Sequence, residues 1–136
     1  MHFVTGGAFN GKRKWVKKNY PAAQWISAYD GNALLDDLST LEDSMVVLEG
    51  IESWIKNSPY SREGWRELFK SYLDWEESYS KRKVIVIGTD ISKGIVPMEE
   101  ENRTWRDKTG WVYQDLVVVC DSVDVIWYGI NQTIKG

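Results

Sequence analysis

The chain has 136 residues, enough for one domain with a single buried core. Its 43% hydrophobic and 27% charged content is ordinary for a globular protein, and a formal net charge of −3 supplies no general attraction to nucleic acid or membrane. The single cysteine excludes an internal disulfide, no apolar run nears membrane-spanning length and the start does not resemble a signal peptide, so a cytoplasmic protein is expected.

The first predicted strand is His2–Thr5. It leads into Gly6-Gly7-Ala8-Phe9-Asn10-Gly11-Lys12-Arg13, where glycine, four residues, glycine and lysine follow the spacing of a phosphate-binding P-loop. Glycines let several N–H groups point into one hollow, and the helix expected from Gly11 to Asn19 aims its positive end at the same place. Lys12 adds a charge that reaches terminal phosphates. The nucleotide-binding candidates are therefore Gly6, Gly7, Ala8, Phe9, Asn10, Gly11, Lys12 and Arg13; the alternative is a glycine turn with no ligand. Arg13 departs from the pattern, because a P-loop has Ser or Thr here to ligate Mg²⁺ and arginine offers only donors. The phosphate cradle is intact and the metal arm is weakened. Lys14, Lys17 and Lys18 extend the positive charge, either as a solvated face or as potential around a polyphosphate.

A second strand is expected at Gln24–Ala28, then a turn at Tyr29-Asp30-Gly31-Asn32 and a short helix over Leu34–Asp43, where Leu34, Leu38 and Leu41 recur at helical spacing. Met45–Gly50 reads as a strand covered on both faces, with Glu49 at its C-terminal end as the catalytic and Mg²⁺-ligating candidate beside Lys12. Its bland reading is a strand-end acid facing solvent. Helices follow at Ile51–Asn57 and Ser61–Ser80, the second with a stripe of Trp65, Leu68, Phe69, Tyr72, Leu73 and Tyr79. Val84–Gly88 is the strongest strand; a loop over Thr89–Pro97 leads to a helix over Glu99–Asp121 carrying Trp105, Thr109, Val112, Leu116 and Val119 on one side. Cys120 reads as a small core residue. Val125–Tyr128 is a further strand and Gln132–Lys135 a short edge strand. The alternation predicts a mostly parallel sheet with helices on both faces, a P-loop-containing (RecA-like) α/β domain over residues 1–136.

Several motifs occur together in one order: Val4-Thr5-Gly6-Gly7 ahead of the loop, Glu49 followed by Ser53 and Trp54, the turn Gly94-Ile95-Val96-Pro97, then Arg103, Trp105-Arg106-Asp107, Gly110 and Gln114, and finally Asp124-Val125 and Gly129-Ile130. In this combination the chain resembles the bifunctional adenosylcobinamide kinase / adenosylcobinamide-phosphate guanylyltransferase family of cobalamin biosynthesis. The resemblance implies a P-loop fold, ATP or GTP as the nucleotide, a weakened Mg²⁺ site, a corrinoid (adenosylcobinamide) as acceptor and a homo-oligomer. The departures are Arg13 for the loop hydroxyl, Glu49 for the usual Asp and Tyr113 for the Asn of an Asn-Gln pair. The family also carries its guanylylated histidine on a long helix between the second and third strands. Here that segment is short and holds no histidine, and the sole histidine, His2, reads as a strand-edge residue without a role. The residues thus leave two readings: a reduced kinase acting through Lys12 and Glu49, with guanylyl transfer doubtful, or a non-catalytic relative that keeps the fold and the nucleotide site in a regulatory or partner-binding role. The eight Trp residues suit a core and an interface equally.

Overall fold

The computed structural model of the protein describes residues 1–42, 44–91 and 99–136. Among them β1 (His2–Gly6), α1 (Lys12–Asn19), β2 (Gln24–Ser27), β3 (Met45–Glu49), α2 (Ile51–Asn57), α3 (Arg62–Glu77), β4 (Lys83–Thr89), α4 (Glu100–Val119), β5 (Ser122–Trp127) and β6 (Ile130–Lys135) follow in order. The strands form one six-stranded sheet, β2-β3-β4-β1-β5-β6. The first five strands pair in parallel and β6 joins antiparallel to β5. The expected mostly parallel α/β architecture is present. The predicted turn Gly94-Ile95-Val96-Pro97, most of the loop that holds it, and Asp43 lie outside the described residues.

Side-chain alternation divides the core into two layers. Phe3, Val46, Leu48, Val84, Val86 and Val123 project to one face, where Trp54 and Ile55 of α2, Trp65, Leu68, Phe69 and Tyr72 of α3, and Val112 and Leu116 of α4 cover them. Val4, Val47, Ile85, Ile87 and Ile126 project to the other face and meet Val16 of α1. The strands read as continuous apolar runs because both faces are covered. The aromatic stripe of α3 is buried from Trp65 through Tyr72, Trp75 joins it, and Tyr79 stands exposed beyond the helix end. Cys120 is buried, as expected.

The helix expected over Leu34–Asp43 is not formed among the described residues of that stretch. Its leucines are still drawn to the core: Leu38 is buried, and Leu34, Leu35 and Leu41 pack partly against the larger cluster. Local polar groups take the backbone instead. The Asp37 carboxylate accepts the Ser39 N–H at 2.9 Å, and the Tyr72 hydroxyl donates to the Leu35 carbonyl. Asp and Ser compete with helical bonding in this way, so leucine spacing alone gave a misleading signal.

His2 also departs from expectation. β1 lies inside the sheet between β4 and β5, so His2 is buried rather than at an edge. Its Nε2 lies 2.5 Å from Asp124 Oδ2 and its Nδ1 2.6 Å from the Tyr20 hydroxyl, while Thr133 and Asn131 also donate to Asp124. A neutral ring that donates from Nε2 and accepts at Nδ1 satisfies both contacts. At the other end of β1, Gly6 has φ 145°, and a Cβ there would sit 2.4 Å from the Ile126 carbonyl oxygen of β5. Only glycine lets the strand turn out at this point without displacing its neighbour.

Two predictions follow from β1. Burial lowers the His2 pKa below its ordinary 6.5 against the opposing pull of Asp124. The unfolded chain then takes up this proton before the folded chain does, so stability falls as pH drops below 6.5 toward the folded value. Asp124, held below its ordinary 3.8 by its hydrogen bonds despite burial, extends the loss at lower pH. Urea unfolding from about pH 7 to about pH 5 should show this decline, and a flat or rising profile would contradict the buried network. Separately, Gly6→Ala should destabilise the fold by about 2 kcal/mol or more in the same assay, since both the backbone conformation and the space are denied to it.

Candidate functional site

The site lies at the C-terminal ends of β1, β3 and β4, where parallel α/β sheets gather their ligand groups. The chain leaves β1 at Gly6 and enters α1 through a tight loop. Phe9 (φ 61°) and Gly11 (φ 89°) adopt left-handed conformations, and the Phe9 ring is fully exposed. Hydrogen bonds pin both ends of the loop. Asp90 N–H donates to the Gly6 carbonyl at 2.8 Å, and Gly129 N–H, from the β5–β6 turn, donates to the Asn10 carbonyl at 2.8 Å. Gly11 must remain small here as well, since a Cβ would approach Gly129 at 3.2 Å.

α1 begins at Gly11 with no side-chain cap and no acidic residue in its first turn. Lys12, Arg13 and Lys14 occupy that turn. Cations at a helix N-terminus oppose the macrodipole, each costing roughly 0.3–1 kcal/mol in exposed settings. The open N–H groups and the clustered cations both suit an anion.

Lys12 is 8% exposed and its Nζ donates to the Gly7 carbonyl at 2.8 Å. Burial lowers its pKa, while Glu52 and Glu49 act to raise it. Arg13 reaches across to β3: Nε donates to Glu49 Oε2 at 2.9 Å and Nη2 to Oε1 at 2.6 Å. Ser27, at the end of β2, donates its hydroxyl to Glu49 Oε1 at 2.6 Å. The Glu49 residue is 3% exposed, so this acid does not face solvent. Its hydrogen bond is the main cause that raises the Arg13 pKa, which keeps the guanidinium charged. Asp30 lies 3.6 Å from Arg13 Nη2.

A second buried acid stands beside the first. Glu52, in the first turn of α2, accepts from Thr89 N–H at 2.9 Å and from the Tyr29 hydroxyl at 2.5 Å. Burial and this hydrogen bond raise the Tyr29 pKa, so the phenol remains a donor. Tyr113 donates to the Thr89 carbonyl at 2.7 Å and fills the space above Gly88, where a Cβ would meet its hydroxyl oxygen at 2.4 Å.

An open cleft of about 960 Å³ lies against the loop, the start of α1 and Glu49. Ala8, Phe9, Gly11, Lys12, Arg13 and Glu49 line it together with Lys14, Lys17, Tyr29, Asp30, Ile87 and Thr89. The structure thus gathers most of the residues singled out in the sequence around one hollow. Gly6, Gly7 and Asn10 shape the loop behind it. Ser27, Tyr29, Glu52 and Thr89 had no assigned role in the sequence; Glu52 carried a signal, three residues beyond Glu49 at a helix start. Among the described residues no cluster of three His, Cys, Asp or Glu side chains could hold a metal ion, and no helix is long and apolar enough to cross a membrane.

Comparison with known proteins supplies the context. A 54-residue stretch, 40% of this chain, is 28% identical to the bifunctional adenosylcobalamin biosynthesis protein CobP of Pseudomonas aeruginosa and spans 31% of that protein. The family model of cobinamide kinase / cobinamide phosphate guanyltransferase matches residues 18–134. The matched span begins at Lys18, near the C-terminal end of α1, and so does not include the β1–α1 loop, Lys12 or Arg13. With most of its length in that match, the chain belongs to the CobU family of cobinamide kinase / cobinamide phosphate guanyltransferase, proteins of cobalamin biosynthesis.

Proposed function

We propose that the chain binds the polyphosphate of ATP or GTP in the β1–α1 loop and serves cobalamin biosynthesis through that site. The observation that carries this reading is the conjunction at the start of α1: an uncapped helix end, a strained glycine loop and three consecutive cations, all at the carboxyl ends of a parallel sheet. Backbone N–H groups would cradle the phosphates and Lys12 would leave the Gly7 carbonyl for a phosphate oxygen. Phe9, exposed at the cleft mouth, offers a flat apolar surface to a base. The family relationship supports nucleotide and cobinamide as the ligand classes.

A second reading adds phosphoryl transfer from the bound nucleotide to the hydroxyl of adenosylcobinamide. The buried Lys12 beside the cleft favours it, because such transfer depends on positioning and charge stabilisation more than on covalent chemistry. Transfer through a histidine–guanylyl intermediate forms no part of the proposal. His2 is the only histidine of the chain, and it is engaged with Asp124 and Tyr20 at the start of β1, while the loop leaves from its end.

Lys12→Ala should weaken ATP and GTP binding at least about tenfold, the loss expected for one charge-assisted hydrogen bond, while the thermal midpoint stays close to that of the parent. Calorimetric titration of the two proteins checks this. Equal affinity in the variant would remove the loop as the nucleotide site. Release of nucleoside diphosphate that depends on added adenosylcobinamide would support the second reading, and binding without such release would leave only the first.

A further inference from the structure

Arg13 stands where a phosphate loop has a metal-binding hydroxyl, and its contacts define a different device. Mg²⁺ demands oxygen ligands at about 2.0–2.1 Å in near-octahedral array. The residues here do not fit it. Both Glu49 oxygens accept from the Arg13 guanidinium, the Ser27 hydroxyl donates to the same carboxylate, and Arg13 has donors only. A cation placed against Glu49 would also face a fixed positive charge.

We propose that Arg13, clamped by Glu49, is the built-in cation of this site and takes the place of a divalent metal against the terminal phosphates of a nucleoside triphosphate. The inference rests on the nucleotide reading of the same loop and specifies its ligand as the metal-free polyphosphate.

Three observations support it. The pair is bidentate, so the planar guanidinium is held in one orientation before any ligand arrives. The Arg13 side chain is 47% exposed and lines the cleft although it is paired, and among the described residues its hydrogen bonds use Nε and Nη2, not Nη1. The guanidinium carbon also lies 5.7 Å from the centroid of the Trp25 ring, and Nη1 is left as the nitrogen that can turn to a ligand in the hollow. Finally, the lining holds Lys12, Arg13, Lys14 and Lys17 against two carboxylates, Asp30 and Glu49. That positive excess, together with the helix end, offsets polyphosphate charge without an added ion.

The test is calorimetric titration of the intact chain with GTP and with ATP, each in magnesium chloride and in EDTA, repeated for Arg13→Ser and Arg13→Lys. The parent should bind with affinities within about twofold of each other in the two buffers. Arg13→Ser should lose about tenfold or more in EDTA and regain affinity when magnesium is added, because it restores a ligating hydroxyl and frees Glu49. Arg13→Lys keeps the charge but not the clamp and should fall between them. Circular dichroism checks that each variant folds. Parent binding that tightens about tenfold or more with magnesium overturns this inference and leaves the nucleotide reading standing. Unchanged affinity of Arg13→Ser in EDTA also overturns it. Absence of binding in both buffers overturns the two together.

Discussion

The position of β1 between β4 and β5 governs the cleft end of this molecule. A strand in the middle of a parallel sheet has neighbours on both sides, so the chain can leave it only by passing over the sheet's carboxyl edge. Gly6 makes that exit, hard against the backbone of β5. The loop that follows is then tied to the segment after β4 through Asp90 N–H and to the β5–β6 turn through Gly129 N–H. Central placement, a glycine exit and two backbone ties hold the loop in a fixed shape, and α1 is thereby aimed at the ends of β3 and β4. The same central placement buries His2 at the opposite end of the strand and demands the polar partners it finds in Asp124 and Tyr20.

Charge completes what the backbone begins. Three cations crowd the start of α1 against the helix dipole, and two acids, Glu49 and Glu52, are buried nearby. Neither acid is left bare. Glu49 is satisfied by Arg13 and Ser27, and Glu52 by Tyr29 and Thr89. A buried carboxylate without partners would cost several kcal/mol, so these bonds are conditions of its presence. The half-exposed Arg13 is not worth its Coulomb energy at vacuum strength, because solvent screens it. Its value lies in geometry: a fork locked onto Glu49 presents a fixed charge to the cleft.

Much of this was legible in the residues. The strands expected at Met45–Gly50 and Val84–Gly88 announced themselves through the apolar runs at their centres, and Gly11 and Lys12 of the P-loop spacing line the cleft. Family membership was also legible from motifs spread along the chain, and the family match supports it. What failed did so for physical reasons. Leucine spacing over 34–41 predicted a helix, but Asp37 and Ser39 diverted the backbone while the leucines packed anyway. The environment of His2 depended on strand order, which no local pattern encodes. The clamp between Arg13 and Glu49 joins residues 36 apart in sequence, so the missing hydroxyl was visible while the pairing of Arg13 with Glu49 was not.

The most direct test of the β1–α1 loop as a polyphosphate site is to follow backbone amide resonances during titration with GTP and, in parallel, with guanosine. Phosphate in the cradle should shift the amides of residues 7–13 with GTP and leave them nearly still with guanosine. Amide shifts confined to other parts of the chain, or equal responses to the two compounds, would contradict a phosphate-binding loop.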